Sequence, residues 1–338
     1  MVQRIHFVIK HLRFCKSWAR FTVVILSLVG GLSSSLAVDL AWDLGGKARD
    51  ETRSACPEFY VQGLQPRILN PKLSQNIRLL CFSSFAVGYS PVSRTPLWSA
   101  EHLSRESLSR ARGLKRVNAF HEEERLAMDE RSFLTDYARS GFDRGHMSPS
   151  ADQPTEQAQQ DSFSLANMVP QNPNNNRNLW EGIESATRTW AKSTGDLYII
   201  TGPLFIGSSI EQLHERVMVP THLFKIIYDP TRNAAAAYLV LNKDTDEYSV
   251  ISLEELSKIS GIDFLPMLNS TEQHAKIDLP SPTPHNSRSQ TNANSGFSQQ
   301  SERKGQDTRA STTQQERQTS SEFRQVEHLL KEIARMIN

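Results

Sequence analysis

Apolar positions gather in short blocks between residues 56 and 276. Residues 79–82 (LLCF) and 85–89 (FAVGY) set aliphatic and aromatic side chains between turn formers, and each block predicts a strand. Residues 197–201 (LYIIT), closed by Gly202-Pro203, predict a buried strand, as do residues 222–228 (HLFKIIY) before Asp229-Pro230. Residues 234–241 (AAAAYLVL) suit a further buried strand, although the alanines fit a helix equally well. From Asn176 to Lys192 there is no proline, and Trp180, Ile183, Ala186 and Trp190 recur at helical spacing. A second helix begins at a Ser252 cap followed by Glu254 and Glu255 and stops near Gly261. Strands mixed with isolated helices, without strict alternation, predict an α+β domain.

The pattern fails at both ends. Residues 277–321 are rich in Ser, Gln, Thr, Asn and Pro, with Ile277, Leu279 and Phe297 almost the only large apolar side chains. Such a segment buries too little surface to offset its chain entropy and predicts a disordered linker. Residues 322–338 regain a pattern: Phe323, Val326, Leu330, Ile333 and Ile337 alternate spacings of three and four, predicting an amphipathic helix that docks, pairs with a copy of itself, or frays. At the other end, Arg4, Lys10, Arg13, Lys16 and Arg20 stand without an acid ahead of an apolar run (FTVVILSLVGGL, 21–32) and the small-residue site Ser35-Leu36-Ala37. Residues 1–37 therefore read as an export signal, since the run is shorter than the roughly 20 residues of a membrane span. An uncleaved anchor is the alternative. Cleavage implies a periplasmic or secreted protein without stable membrane insertion, whose domain occupies residues 38–276.

Composition adds one constraint. The 338 residues carry a formal charge of +1, but the five leader cations account for it. Taking them from the 38 basic residues leaves 33 against 37 acidic ones, near −4, so bulk charge does not point to a nucleic-acid partner and any such binding needs a local patch. Of three cysteines, Cys15 leaves with the signal; Cys56 and Cys81 then form either a disulfide, which export favours, or two buried thiols.

The chemistry concentrates in two clusters. One is Asp143-Arg144-Gly145-His146, followed by Met147-Ser148-Pro149-Ser150-Ala151-Asp152; alone it is compatible with a surface turn carrying an ordinary histidine. The other, thirty residues on, is the asparagine-rich run from Asn167 through Asn172, Asn174, Asn175, Asn176 and Asn178 to Trp180, with Glu184 beyond; some of these asparagines cap a helix.

Together with Arg94-Thr95-Pro96-Leu97-Trp98-Ser99-Ala100-Glu101-His102-Leu103, Thr201-Gly202-Pro203, and Val219-Pro220-Thr221-His222 leading to Lys225, these clusters resemble the DNA/RNA non-specific endonucleases of the ββα-metal (His-Me finger) class. The resemblance covers roughly residues 56–268 and implies a mixed, mainly antiparallel sheet flanked by helices. It implies His146 as general base, Arg144 facing the scissile phosphate, and Asn176 as the one side chain ligating the metal. Glu184 matches an acid that bonds water around that metal, and Arg94 and Arg188 match substrate-side arginines. The implied cofactor is Mg²⁺, with Mn²⁺ as a substitute; the implied substrates are DNA and RNA, cut internally to leave 5′-phosphates.

Elementary chemistry agrees. Imidazole, with an unperturbed pKa near 6.5, accepts a water proton at neutral pH. Magnesium prefers oxygen ligands and accepts a sparse protein site when a phosphate brings charge of its own. On an ideal α-helix Asn176 and Glu184 stand about 80° apart after full turns, on one broad side. Arg188, a turn beyond Glu184, could meet the same groove or pair with Glu184 structurally. Trp98 and Trp180 suit base stacking less than core packing. Two rivals stay open: a phosphodiesterase acting on small substrates, and a nucleic-acid-binding or envelope interaction protein with a vestigial site. A protein inhibitor, or self-association through the carboxy-terminal helix, are the further partners expected.

Overall fold

The computed structural model describes residues 53–73 and 77–285. The leader, the linker beyond residue 285 and the helix expected at 322–338 lie outside the described residues.

In chain order the strands are Arg67–Ile68 (β1), Arg78–Cys81 (β2), Phe85–Ser90 (β3), Thr95–Ser104 (β4), Asp143–His146 (β5), Met168–Gln171 (β6), Asp196–Leu204 (β7), Gln212–Leu213 (β8), Val217–Met218 (β9), His222–Asp229 (β10), Ala234–Leu241 (β11), Ser249–Ile251 (β12) and Ile262–Asp263 (β13). Seven of them form one sheet in the order β12-β11-β10-β7-β4-β3-β2, with every pairing antiparallel. Residues 234–241 resolve as a strand: β11 pairs along its whole length with β10, and its alanines leave room for close packing.

Both faces of the sheet are covered, so its central strands are apolar almost throughout. Successive side chains still point to opposite faces. On β10, Phe224, Ile226 and Tyr228 enter one core with Trp98, Ala100 and Ile200, beneath the Leu253–Ser260 helix. That helix has the expected ends: Ser252 and Glu255 form a capping box and Gly261 adopts a left-handed conformation. On the other face Leu223 and Ile227 join Leu197, Ile199 and Leu103 against Leu179, Trp180 and Ile183. Both Trp98 and Trp180 lie in these cores.

This second face supports the functional unit, in which β5 pairs with β6 and the chain then enters a long helical run, an order of strand, strand and helix. Each large apolar side chain that the run buries contributes about 2 kcal/mol. The run ends at Gly195, in the left-handed region at φ 98°, and Arg105 donates to the carbonyls of Lys192 and Ser193 at 2.7 and 2.9 Å.

Two covalent and terminal features complete the domain. Cys56 and Cys81 form a disulfide, Cα atoms 5.9 Å apart, which ties the first 3₁₀ turns to the edge strand β2. After Lys276 the chain stays in contact with the domain: Leu279 packs against the second core, Tyr238 donates its hydroxyl to the Pro280 carbonyl, and the His285 amide donates to the Asn178 carbonyl at 3.4 Å. Residues 277–285, read from composition as the start of a disordered linker, thus strap the outer side of the Glu181–Thr194 helix. The strap needs Gly182, because a Cβ there would collide with the Thr283 carbonyl. No helix among the described residues is long and apolar enough to cross a membrane.

Candidate active site

The glycine of the Asp-Arg-Gly-His motif has a steric reason. Gly145 pairs with Val169 across β5 and β6, and the side chain of Gln171 fills the space that a Cβ would occupy. Gln171 in turn donates to Asn175 at 3.0 Å, which fixes the start of the helical run to β6, the strand paired with the one that carries His146. The asparagines then divide the work. Asn172 caps the run by accepting from the amides of Asn174 and Asn175, Asn174 donates to Asp244, and Asn175 is buried. Asn176 alone among these turns toward the histidine, and both line one cleft of about 720 Å³.

The run is not a plain α-helix. Asn176–Trp180 forms a π-helical turn between a short α-turn, Pro173–Asn175, and the α-helix Glu181–Thr194. Hydrogen bonds spanning five residues rotate the chain less per residue than those spanning four. The smaller rotation subtracts from the angular offset expected on an ideal helix and turns Asn176 toward the line of Glu184.

His146 sits deep in the cleft wall. Its ring meets Phe163 edge-on, with centroids 4.9 Å apart, and Phe120 at a tilt, 5.7 Å away. Nε2 is buried without a hydrogen-bond partner among the described residues, which leaves Nδ1 as the ring nitrogen open to the cleft. Burial first, then the charges of Arg116 and Arg144, push the imidazole down to about 3. It is therefore a neutral base at physiological pH. A bound phosphate would offset the two guanidinium charges and move its proton affinity back up. Arg144 is held by stacking, its guanidinium 4.0 Å from the centre of Phe120.

Opposite the histidine, the Asn176 amide nitrogen donates to Asp143 Oδ2 at 2.9 Å. A carboxylate accepts only, so this bond fixes the amide nitrogen inward and leaves the carbonyl oxygen for the cleft. Asp143 is itself gripped by Arg177 at 2.9 and 2.6 Å. The donor set fits a hard divalent cation drawing most of its ligands from water and substrate: one amide oxygen, with carboxylates nearby. Among the described residues no group of three or more His, Cys, Asp or Glu could hold a metal, so the set does not suit a closed zinc site.

Beyond Asn176 lies a buried layer of charge. Arg188 reaches Asp152 at 3.1 Å, Glu181 at 3.6 Å and Glu184 at 3.9 Å. Arg188 thus lines the cleft and also pairs with Glu184. Glu184 is pushed up to about 7 by burial, opposed by Arg188 and Lys225. Lys225, fully buried, donates to Thr201 Oγ1 at 2.8 Å, and Glu101 accepts from Ser148 at 2.6 Å. Burial also raises Glu101, with Asp152 adding to the effect.

Arg94 does not fit the substrate-side expectation. At φ 54° its turn aims the guanidinium at the carbonyls of Arg216 and Asp129, both at 3.0 Å, outside the cleft lining. Several cleft residues had no expected role: Asp143, Arg116, Phe120, Arg139, Arg177 and Glu181. The buried partners Glu101, Ser148, Asp152 and Lys225 were likewise unassigned. For Lys225 a signal existed, a lone lysine in the apolar strand 222–228. With Arg116, Arg139, Arg144, Arg177 and Arg188 against Asp143, Glu181 and Glu184, the cleft supplies the local basic patch that bulk charge lacks.

Comparisons with known proteins identify the family. The sequence profile of the DNA/RNA non-specific endonuclease family matches residues 65–271. The chain is 34% identical over 206 residues to Nuclease C1 of Cunninghamella echinulata var. echinulata, covering 55% of this chain and 82% of that protein. It is 31% identical over 203 residues to mitochondrial Endonuclease G of Bos taurus, covering 54% and 68%. Among solved structures, the EndoG/EndoGI complex aligns with a TM-score of 0.55 at 26% identity, covering 58% of this chain and 89% of that one. The chain belongs to the DNA/RNA non-specific endonuclease family, with the ββα-metal fold, and is a metal-dependent endonuclease that hydrolyses phosphodiester bonds.

Proposed function

We propose that the protein is an exported, sugar-non-specific nuclease that cuts DNA and RNA internally with one Mg²⁺, leaving 5′-phosphates. The observation that carries this reading is the convergence of the open nitrogen of His146 and the outward oxygen of Asn176 on one basic cleft. A backbone phosphate entering between them meets the guanidinium forks of Arg144 and Arg188, which suit phosphoryl oxygens. His146 Nδ1 takes a proton from the attacking water, and its neutrality in the free protein keeps it ready to do so. Glu184 accepts hydrogen bonds from water beside Asn176, and Arg188 holds that carboxylate in place. The Asn176 oxygen would hold Mg²⁺, which would supply Lewis-acid charge at the scissile phosphate. Lack of base preference follows, because contacts to phosphate carry no sequence information.

Digestion of closed circular DNA, linear DNA and RNA, with Mg²⁺ or with EDTA and beside His146→Ala, tests the reading. Linearised circles and degraded RNA in Mg²⁺ alone, lost in the variant, are the expected result. A wild-type protein that binds nucleic acid but never cuts it would instead support the vestigial-site rival, and turnover limited to small diesters the phosphodiesterase rival.

Export is supported by the leader sequence and by the Cys56–Cys81 disulfide, a bond at home in oxidising compartments. Recovery of activity from periplasmic extract or medium, with residues 1–37 absent from the mature chain, checks it. The inhibited EndoG of the solved complex supports asking whether a protein inhibitor acts on this nuclease too.

A further inference from the structure

Glu184, Arg188 and Lys192 stand four residues apart on the Glu181–Thr194 helix, so they form one row with a rise of about 6 Å per step. Following that row away from Asn176 leads out of the cleft, past Arg188, into a second hollow of about 300 Å³. The two hollows share Arg116, Ser150, Ala151 and Arg188 in their walls. In charge they differ. The cleft mixes five arginines with three acids, whereas the second hollow is lined by Arg112, Arg116, Arg188 and Lys192 and by no acid.

Arg112 ends the Arg105–Ala111 helix, and its side chain, like that of Lys192, has no hydrogen bond or ion pair among the described residues. The loop beyond it is fixed rather than loose, since the Val117 amide donates to Gln159 at 2.9 Å and Arg116 Nε donates to Asn118 at 2.9 Å. Helix termination offers a weak account of Lys192. The carbonyls at that helix end are already met by Arg105, which donates to Lys192 and Ser193. Leu108, Ala111 and Leu114 supply an apolar floor of the kind a sugar or base edge can rest on.

Resting on the nuclease reading, we propose that this second hollow is a subsite for the phosphodiester neighbouring the one being cut. Arg112, Arg116 and Lys192 bind that phosphate, and Arg188 is the wall common to both positions. The ligand is a polynucleotide backbone, DNA or RNA, and a substrate with a single phosphodiester does not reach the subsite.

The test uses the full chain with Mg²⁺ and the paired change Arg112→Gln with Lys192→Gln. Two substrates are compared: long DNA and the small diester thymidine 5′-(p-nitrophenyl) phosphate. KM for DNA should rise about fivefold, the scale of two exposed ion pairs. The slope of log KM against log salt should flatten by about one. Turnover of the small diester should be unchanged. Anisotropy of a labelled oligonucleotide in EDTA should show the same weakening without catalysis. Unchanged DNA affinity and salt slope would overturn the subsite. So would an equal loss on both substrates with a lower melting temperature, which would make the two cations structural. A wild-type protein that hydrolyses neither substrate would sink the nuclease reading itself, a result distinct from either.

Discussion

The carboxylate of Asp143 holds the side-chain amide of Asn176, Oδ2 to Nδ2 2.9 Å, and thereby decides which end of that amide faces the cleft. Residues that orient a metal ligand are commonly worth about 10–100-fold in metal affinity. Asp143→Ala should therefore raise the Mg²⁺ concentration needed for half-maximal activity by about that factor, with a smaller loss at saturating metal. Titration of cleavage rate against Mg²⁺ measures both. An unchanged half-saturation would remove Asp143 from the orienting role.

Stability should depend on pH through two buried groups acting in opposite directions. His146 is lowered to about 3 from 6.5, so between those values the unfolded chain takes up a proton that the folded one refuses. Its contribution is complete above pH 6.5 and is lost as pH falls toward 3. Glu184 is raised to about 7 from 4.5, so here the folded form holds the extra proton. Its contribution is complete below pH 4.5 and is lost as pH rises through 7. Urea unfolding from pH 4 to 8 should show the alkaline loss flattened in Glu184→Gln and the acid loss flattened in His146→Ala. Parallel profiles for wild type and both variants would contradict the assignment.

How far the sequence foretold this site depends on what each residue obeys. His146, Asn176 and Glu184 lie in short, separated clusters whose residue types the chemistry demands, and the structure gathers them in one cleft. The strands containing residues 197–201 and 222–228 were legible because burial on both faces leaves runs of apolar residues. The π-turn at Asn176–Trp180 was not, because no residue pattern marks a switch from four-residue to five-residue hydrogen bonds. Nor was Arg116, which sits in the irregular 112–133 stretch without periodicity. Arg94 is held away from the cleft by the carbonyls of Arg216 and Asp129, partners distant in sequence that no local pattern marks.

Arg188 should be worth more to the fold than a surface arginine. It is the shared counter-charge of Asp152 and Glu184, both largely buried. Removing one partner of such a cluster costs about 3–5 kcal/mol. Arg188→Ala should destabilise by that order in chemical denaturation, and adding Asp152→Asn should recover part of the loss. If the single variant unfolds at the wild-type denaturant midpoint, the cluster is not a structural one.

The Cys56–Cys81 bridge spans 25 residues of sequence, a separation for which loop-closure entropy gives about 3–4 kcal/mol. Cys81→Ser should lower the melting temperature, and a reductant should do the same to the wild type while leaving the variant unmoved. An equal response of both proteins to reductant would show that the bond contributes nothing.

The strap across Gly182 places the way out of the domain on the back of the helix that carries Glu184 and Arg188. A force or tether applied to the chain past residue 285 would pull first on the His285–Asn178 hydrogen bond and the Thr283–Gly182 contact, both on the helical run that carries Asn176 and Glu184. Fusions, affinity tags or captured partners attached there thus load the helical run that lines the cleft.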